Sequence, residues 1–260
     1  MADINKLLRA DDSHISTVLF DLGSTLIYFE GDWEAVILEG NLRLVRFLKE
    51  TGFQIDEDNF LKRFRAELQA YFIERETEFI EHTSANILRQ VFLEYGYPAV
   101  PDKVIRDALR VMYSVSQAYW KPESDTHPTL DLLITQGYSL GLISNASDDD
   151  DVQSLIDQAR LRPYFGTILT SAAQGIRKPN PQIFFTALTN LAAQPGQAVM
   201  VGDTLGADIL GARNAGMRSI WITRRADSPA NRAHADTIQP DATIATLSEL
   251  PRTLAHLNGA

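Results

Sequence analysis

The chain has no cysteine. That excludes disulfides, thiolate metal sites and cysteine nucleophiles together, and it is compatible with a reducing compartment. Positive charge is also scarce: 24 Lys and Arg stand against 34 Asp and Glu in 260 residues, a formal charge of −10. General binding to nucleic acid or an anionic membrane depends on clustered Lys and Arg neutralising phosphates, and no basic run is present. Neither partner is expected, while a small anion held at one specific site is allowed. Long apolar runs are missing too. Nowhere do about 18 uninterrupted apolar residues occur, and Met1–Ser13, MADINKLLRADDS, has no apolar stretch of the length a signal peptide needs. The expectation is a soluble, cytoplasmic protein.

What the sequence does have is a core-forming apolar content of 45%, organised in two different periods. Ile15–Phe20 is a short apolar run that stops at Asp21, with Gly23, Ser24 and Thr25 following as turn chemistry. The pattern recurs at Ser139–Ser144 before Asn145, and at Ala198–Val201 before Gly202 and Asp203. Helical periodicity occupies Thr129–Gln136, Val152–Arg160, Pro181–Ala192 and Ala207–Ala215, and further strands are expected at Arg218–Thr223 and Ala242–Ala245. Strands alternating with helices predict a parallel sheet covered on both faces.

From about Asp32 to Trp120 the strand signal vanishes. Four apolar faces at helical spacing replace it: Ile37, Leu44, Val45 and Leu48; Phe60, Phe64, Leu68, Tyr71 and Phe72; Ile87, Leu88, Val91 and Phe92; Val104, Ile105, Leu109, Met112 and Tyr113. The fold class expected is therefore α/β, a doubly wound parallel sheet from residues 1–29 and 121–260, with an α-helical domain of residues 30–120 inserted after the first strand.

In open parallel sheets ligands gather at the carboxyl ends of the strands. Asp21, Ser144 with Asn145, and Asp203 should accordingly meet there, joined by Lys178 from the run Arg177–Pro181 and by Asp208. Three carboxylates brought together repel, which favours recruiting a hard cation, and oxygen ligands in this number suit Mg²⁺ completed by water and a substrate phosphate. Phosphoryl transfer uses the same components: a nucleophile, a metal, and a cation on the transferring oxygens.

Four segments, VLFDLGSTL (Val18–Leu26), LISNAS (Leu142–Ser147), RKPNPQIF (Arg177–Phe184) and VGDTLGADILGARNAGM (Val201–Met217), resemble the ordered motifs of the haloacid dehalogenase-like (HAD) hydrolase superfamily. The helical insert is similar to that family's cap of the first type, which closes over the active site and selects the substrate. The resemblance implies a Rossmann-like core and a Mg²⁺-dependent phosphatase of small phosphorylated metabolites. In it Asp21 attacks phosphorus and forms an aspartyl-phosphate. Ser144, Asn145 and adjacent backbone amides hold the transferring group, and Lys178 screens charge. Asp21, the carbonyl of Gly23, Asp203 and Asp208 hold the metal, directly or through water. Dehalogenases of this kind work without the metal and tend to lose its ligands, whereas Asp203 and Asp208 are retained.

One position departs from the family pattern. Its phosphatases usually carry a second Asp two residues after the nucleophile as general acid and base, and here that residue is Gly23. Loss of the proton shuttle should slow alkyl phosphates most and activated phosphates least. Glu30, Asp32, Glu78 and His82 are conceivable substitutes, and the alternative is a catalytically impaired phosphate-binding or regulatory protein. Elsewhere the structural reading prevails. Asp148–Asp151 is expected to charge a helix N-terminus rather than bind metal. The five histidines show no ligand spacing, Trp33, Trp120 and Trp221 fit packing, and Arg224–Asp241 reads as a long surface loop.

Overall fold

The structure, a computed structural model, describes residues 14–259 apart from the side chains of residues 75–78. Met1–Ser13 and the Glu78 side chain thus lie outside the described residues. In chain order the strands are β1 (Thr17–Phe20), β2 (Ile27–Phe29), β3 (Trp120–Pro122), β4 (Ser139–Ser144), β5 (Thr167–Thr170), β6 (Ala198–Gly202), β7 (Arg218–Ile222) and β8 (Ala242–Ile244). Six of them form a parallel sheet of order β5-β4-β1-β6-β7-β8, and β2 and β3 pair antiparallel as a separate ribbon.

Side-chain alternation along these strands creates two cores, because successive residues point to opposite faces of a sheet. Val18 and Phe20 of β1, Leu140 and Leu142 of β4, and Val199 and Val201 of β6 face one side. There they meet α5 (Thr126–Thr135), α6 (Asp149–Gln158) and α11 (Leu250–Leu257). Leu19, Ile143, Ala198 and Met200 face the other, under α8 (Pro181–Asn190) and α9 (Leu210–Asn214), with the short α7 (Ser171–Gln174) directly following β5. Both faces are covered, so these strands read as continuous apolar runs rather than alternating ones. The doubly wound α/β class inferred from the sequence is the one found.

Between β2 and β3 lie four helices, α1 (Trp33–Glu50), α2 (Glu57–Glu78), α3 (Ser84–Glu94) and α4 (Asp102–Gln117), around their own core of Leu44, Leu48, Phe60, Phe64, Phe92 and Leu109. Gly40 lets α1 approach α4: a Cβ there would stand 2.8 Å from the Met112 carbonyl oxygen. Phe72, counted on the buried face of α2, is instead 44% exposed. Val36 rather than Ile37 begins the buried stripe of α1.

Several local expectations are corrected. β5 and the β2–β3 ribbon carried no strand signal, since their three- and four-residue lengths are too short for periodicity to register. The Ala207–Ala215 segment opens as a wide π-helical turn over Leu205–Ile209 before α9. The supposed loop Arg224–Asp241 contains a helix, α10 (Pro229–His234), which starts because the Ser228 side chain accepts from Asn231 N and Pro229 takes the first helical position. Asp148 likewise caps α6 by accepting from Asp151 N at 2.9 Å, so the acidic run is a helix N-terminus as expected.

Candidate active site

β1 lies at the centre of the sheet, with β4 on one side and β6 on the other, where the direction of strand succession reverses. A crevice therefore opens beyond its carboxyl end. Phe20 is in register with Leu142 and Val201, and Asp21 follows with its amide bonded to the Val201 carbonyl at 2.9 Å. Ser144 ends β4, and Asp203 directly follows β6.

Lys178 reaches this crevice from the segment before α8. Its side chain is 1% exposed, and its ammonium donates to Asp21 Oδ1 at 2.7 Å, Asp208 Oδ1 at 2.6 Å and the Ile143 carbonyl at 2.8 Å. All three N–H groups are used, so the ammonium is fixed rather than mobile. Burial opposes its charge, but Asp208 and Asp21 outweigh that and hold its pKa above the ordinary value.

Asn145 fixes the same residue from the main chain. Its Oδ1 accepts from Lys178 N at 2.9 Å and its Nδ2 donates to the Lys178 carbonyl at 2.9 Å. The side chain expected on substrate is thereby spent on Lys178, which leaves its backbone amide for an anion. Ser144 is 6% exposed, and its hydroxyl makes no hydrogen bond among the described residues.

Asp208 sits on the π-helical turn with both oxygens occupied, Oδ1 by Lys178 and Oδ2 by Thr204 N at 2.9 Å. It packs so closely on Gly202 that a Cβ there would stand 2.3 Å from Asp208 Cγ. Asp203 contrasts with it, since among the described residues the side-chain contacts to its carboxylate are the long ones from the Thr25 and Thr204 hydroxyls, each 3.5 Å. Burial, followed by repulsion from Asp21 and Asp208, pushes its pKa up to about 8. Burial likewise raises Asp21, to about 6, against the opposing pull of Lys178.

Three carboxylates thus face one ammonium. Among the described residues no three acidic or imidazole groups converge as a ready metal cluster, because Asp208 is turned to Lys178 and Thr204. The remaining donors are the Asp21 and Asp203 carboxylates and the Gly23 carbonyl, which stays outside the Ile27 N–Leu22 O and Ser24 N–Ile27 O bonds closing its turn. Two hard carboxylates with a charge deficit between them fit a small divalent cation, which uses one or two carboxylates and takes its remaining oxygens from water and substrate. Asp208 would act on such an ion through water.

Other residues shape the site without having been signalled by any motif. The Asp203 carbonyl accepts from Trp221 Nε1 and Asn231 Nδ2, both at 2.8 Å, and Asn231 Oδ1 accepts from Leu205 N at 2.8 Å. The helix missed at 229–234 thus clamps the loop that carries Asp203. Beside Gly23 stands Trp120. A Cβ built on Gly23 would lie 3.5 Å from Trp120 Cη2 and 3.7 Å from Cζ3, ordinary contact distances. Trp120 was expected only to pack, as Trp221 largely does, and only the pairing of β2 with β3 reveals its place.

The connection between α2 and α3 pairs with the segment that leads to Lys178. Ile80 and Ile176 form an antiparallel bridge, with Glu81 N on the Gly175 carbonyl and Arg177 N on the Phe79 carbonyl, each 3.1 Å. Glu81 lies in this seam, its Oε2 accepting from Ser171 Oγ at 2.7 Å and Arg177 Nη1 at 3.3 Å and its Oε1 from Tyr71. Ser171 Oγ in turn accepts from Ala146 N at 2.8 Å. His82 stacks on Tyr71 with ring centroids 5.5 Å apart, Glu30 pairs with Lys121, and Asp32 caps α1 through Ala35 N.

Known proteins resemble this chain in sequence and fold. A family model described as haloacid dehalogenase-like hydrolase matches residues 46–222. The glyceraldehyde 3-phosphate phosphatase of Methanopyrus kandleri is 30% identical over 210 residues, which cover 81% of this chain and 84% of that protein. Among solved structures, the 2-haloacid dehalogenase of Pseudomonas syringae pv. Tomato superposes with a TM-score of 0.66 at 26% identity, covering 93% of this chain and 99% of that one. A HAD phosphatase of Thermococcus onnurineus superposes with a TM-score of 0.61 at 25% identity over 92% and 98%. A family match over more than half its length, on a sheet whose central strand delivers Asp21 to Lys178, makes this chain a member of the haloacid dehalogenase-like hydrolases.

Proposed function

We propose that the protein is a Mg²⁺-dependent phosphatase of small phosphorylated metabolites, acting through an aspartyl-phosphate on Asp21. Supporting this is the buried ammonium of Lys178 lying between Asp21 and Asp208, with Asp203 beside them as a carboxylate short of positive charge. The phosphatase name of the Methanopyrus kandleri relative points the same way. Asp21 Oδ2, the oxygen not bonded to Lys178, attacks phosphorus. The Ser144 hydroxyl, the Asn145 amide and Lys178 hold the phosphoryl oxygens, and Asn145 positions Lys178. Asp21, the Gly23 carbonyl and Asp203 hold Mg²⁺, with Asp208 through water. The ion supplies charge neutralisation on the phosphoryl group and lets the anionic nucleophile approach an anionic substrate. In this reading residues 1–29 and 121–260 are the catalytic core and residues 30–120 a cap that selects the substrate.

No helix among the described residues is long and apolar enough to cross a membrane. Separately, the net charge of −10 supports a small phosphorylated molecule as substrate in preference to a nucleic acid. Gly23 supports a second reading, a catalytically impaired phosphate-binding or regulatory protein. Turnover of p-nitrophenyl phosphate and a metabolite panel separates the two. Multiple turnovers that disappear in Asp21→Asn and with excess EDTA support the phosphatase, activity unchanged by either refutes it, and tight phosphate binding without turnover selects the second reading.

A further inference from the structure

The space beside Gly23 is filled by an indole rather than by an acid. Trp120 belongs to an aromatic group drawn from β2, β3 and the start of α1. Phe29 lies 4.8 Å from Trp33 and 5.7 Å from both Tyr119 and Trp120, and Trp33 lies 6.4 Å from Trp120 (ring centroids). Trp33 is 51% exposed, so one edge of this group is open to a ligand. Of the titratable groups nearby, Glu30 pairs with Lys121, Asp32 caps α1, the Tyr28 ring is covered by the Arg225 guanidinium at 3.9 Å, and Tyr119 is stacked on Phe29. An indole N–H is a donor that does not give up its proton.

Building on the phosphatase reading above, we infer that the preferred substrates are aryl phosphate monoesters, the aryl ring lying against Trp120 and leaving as its own oxyanion. Two features converge on that class. With no acid at position 23, the leaving oxygen departs unprotonated, which suits a phenol of pKa about 10 and penalises an aliphatic alcohol whose pKa is near that of water, about 16. A flat apolar wall favours a ring by offset or edge-to-face contact.

In the first step an Asp21 oxygen bonds to phosphorus, the bond from phosphorus to the aryl oxygen breaks, and its electron pair stays on that oxygen, which takes a proton from water. In the second a water oxygen bonds to phosphorus, the bond to Asp21 breaks with its pair returning to the carboxylate, and the water proton passes to solvent. Position 23 supplies no base for this second step either, so the phosphoenzyme accumulates.

The test is a leaving-group series on the full chain with Mg²⁺: p-nitrophenyl phosphate, phenyl phosphate and glycerol 3-phosphate. Positioned acid catalysis contributes roughly 10²–10⁴-fold, so kcat/KM for phenyl phosphate should exceed that for glycerol 3-phosphate by on the order of 10² or more. Rapid mixing should show a burst of about one p-nitrophenolate per Asp21, the one-equivalent amplitude an accumulating covalent intermediate requires, and kcat should be common to the two aryl esters. Gly23→Asp should narrow the aryl preference by improving the alkyl ester. Trp120→Leu should raise KM for aryl esters alone, and the wild-type series decides the matter should that variant misfold. Equal kcat/KM for aryl and alkyl esters, or an unchanged ratio in Gly23→Asp, overturns the inference and leaves Asp21 chemistry standing. Absence of turnover on every ester with no phosphate trapped on Asp21 overturns both.

Discussion

Removing the carboxylate of Glu81 should cost more stability than removing any surface ion pair of this protein. Its side chain is fully buried and its partner Arg177 only 9% exposed. Glu81→Ala takes the acceptor from Tyr71, Ser171 and Arg177 at once. Ser171 retains the Ala146 carbonyl at 3.1 Å and Arg177 retains the Tyr71 hydroxyl at 3.2 Å, but the guanidinium loses its anion in the interior. Breaking one side of a buried pair costs about 3–5 kcal/mol. Glu81→Gln should cost less, about 1–2 kcal/mol, because the amide oxygen can turn to Ser171 and Arg177 while Tyr71 becomes the acceptor. The exposed pair Arg43–Glu39 marks the opposite limit, worth about 0.5 kcal/mol.

Because the helices and the sheet have separate cores, a single two-state melt is not assumed. Hydrogen exchange at the amides of Glu81 and Ala146 reads the local effect, and urea denaturation reads the global one. The same substitution in an Arg177→Met background supplies the control. There Glu81 is already an uncompensated buried charge, so its removal should cost nothing or stabilise. An identical loss in both backgrounds, or a loss in wild type below about 1 kcal/mol, would show that charge pairing is not what holds this seam.

Asp151 offers a pH test. Burial, with Asp148 adding repulsion against the Gln117 hydrogen bond, raises its pKa from 3.8 to about 7. Its contribution to stability is therefore complete below pH 4 and is lost as pH rises through about 7, a loss of about 2 kcal/mol once the helix N-terminus and partial solvent access are allowed for. Asp151→Asn keeps the acceptor for Gln117 and should melt above wild type at pH 8 and level with it at pH 4; the reverse order disproves the sign. Gly202→Ala places a methyl 2.3 Å from Asp208 Cγ, so overpacking should cost about 1–3 kcal/mol and pull Asp208 from Lys178. An active variant with wild-type Tm would mean that the turn at Leu205–Ile209 yields freely.

The strands that deliver the candidate site were legible because each is an apolar run broken by a polar residue, and burial of the sheet on both faces requires such runs. Asp21, Ser144 and Asp203 follow from that break, and Lys178 and Asp208 from motif spacing. Which oxygen meets which donor was not legible. Asp208 and Asp203 look alike in sequence, yet one has both oxygens taken by Lys178 and Thr204 while the other meets the Thr25 and Thr204 hydroxyls at 3.5 Å. Asn145 has the composition of a ligand-binding residue and is used as a bracket for Lys178. Trp120 was hidden because β3 is three residues long and its position depends on pairing with a strand about ninety residues earlier.

Two buried charged networks flank each other in this fold, and their balance differs. In the seam, one carboxylate, Glu81, meets one guanidinium, and its oxygens are further bonded by Tyr71 and Ser171, so the network is electrically closed. At the sheet, one ammonium with every proton committed faces three carboxylates, and the surplus falls on Asp203. A closed network has nothing left to offer a ligand and serves to hold elements together. The other keeps an excess of negative charge, which burial and mutual repulsion turn into the raised pKa of Asp203 and which a bound cation would offset. Segments 79–81 and 175–177 connect the two, since Arg177 is bonded to Glu81 and Lys178 beside it to Asp21. In the phosphatase reading, loosening the seam should therefore weaken phosphate binding through the position of Lys178 before it alters the chemistry at Asp21.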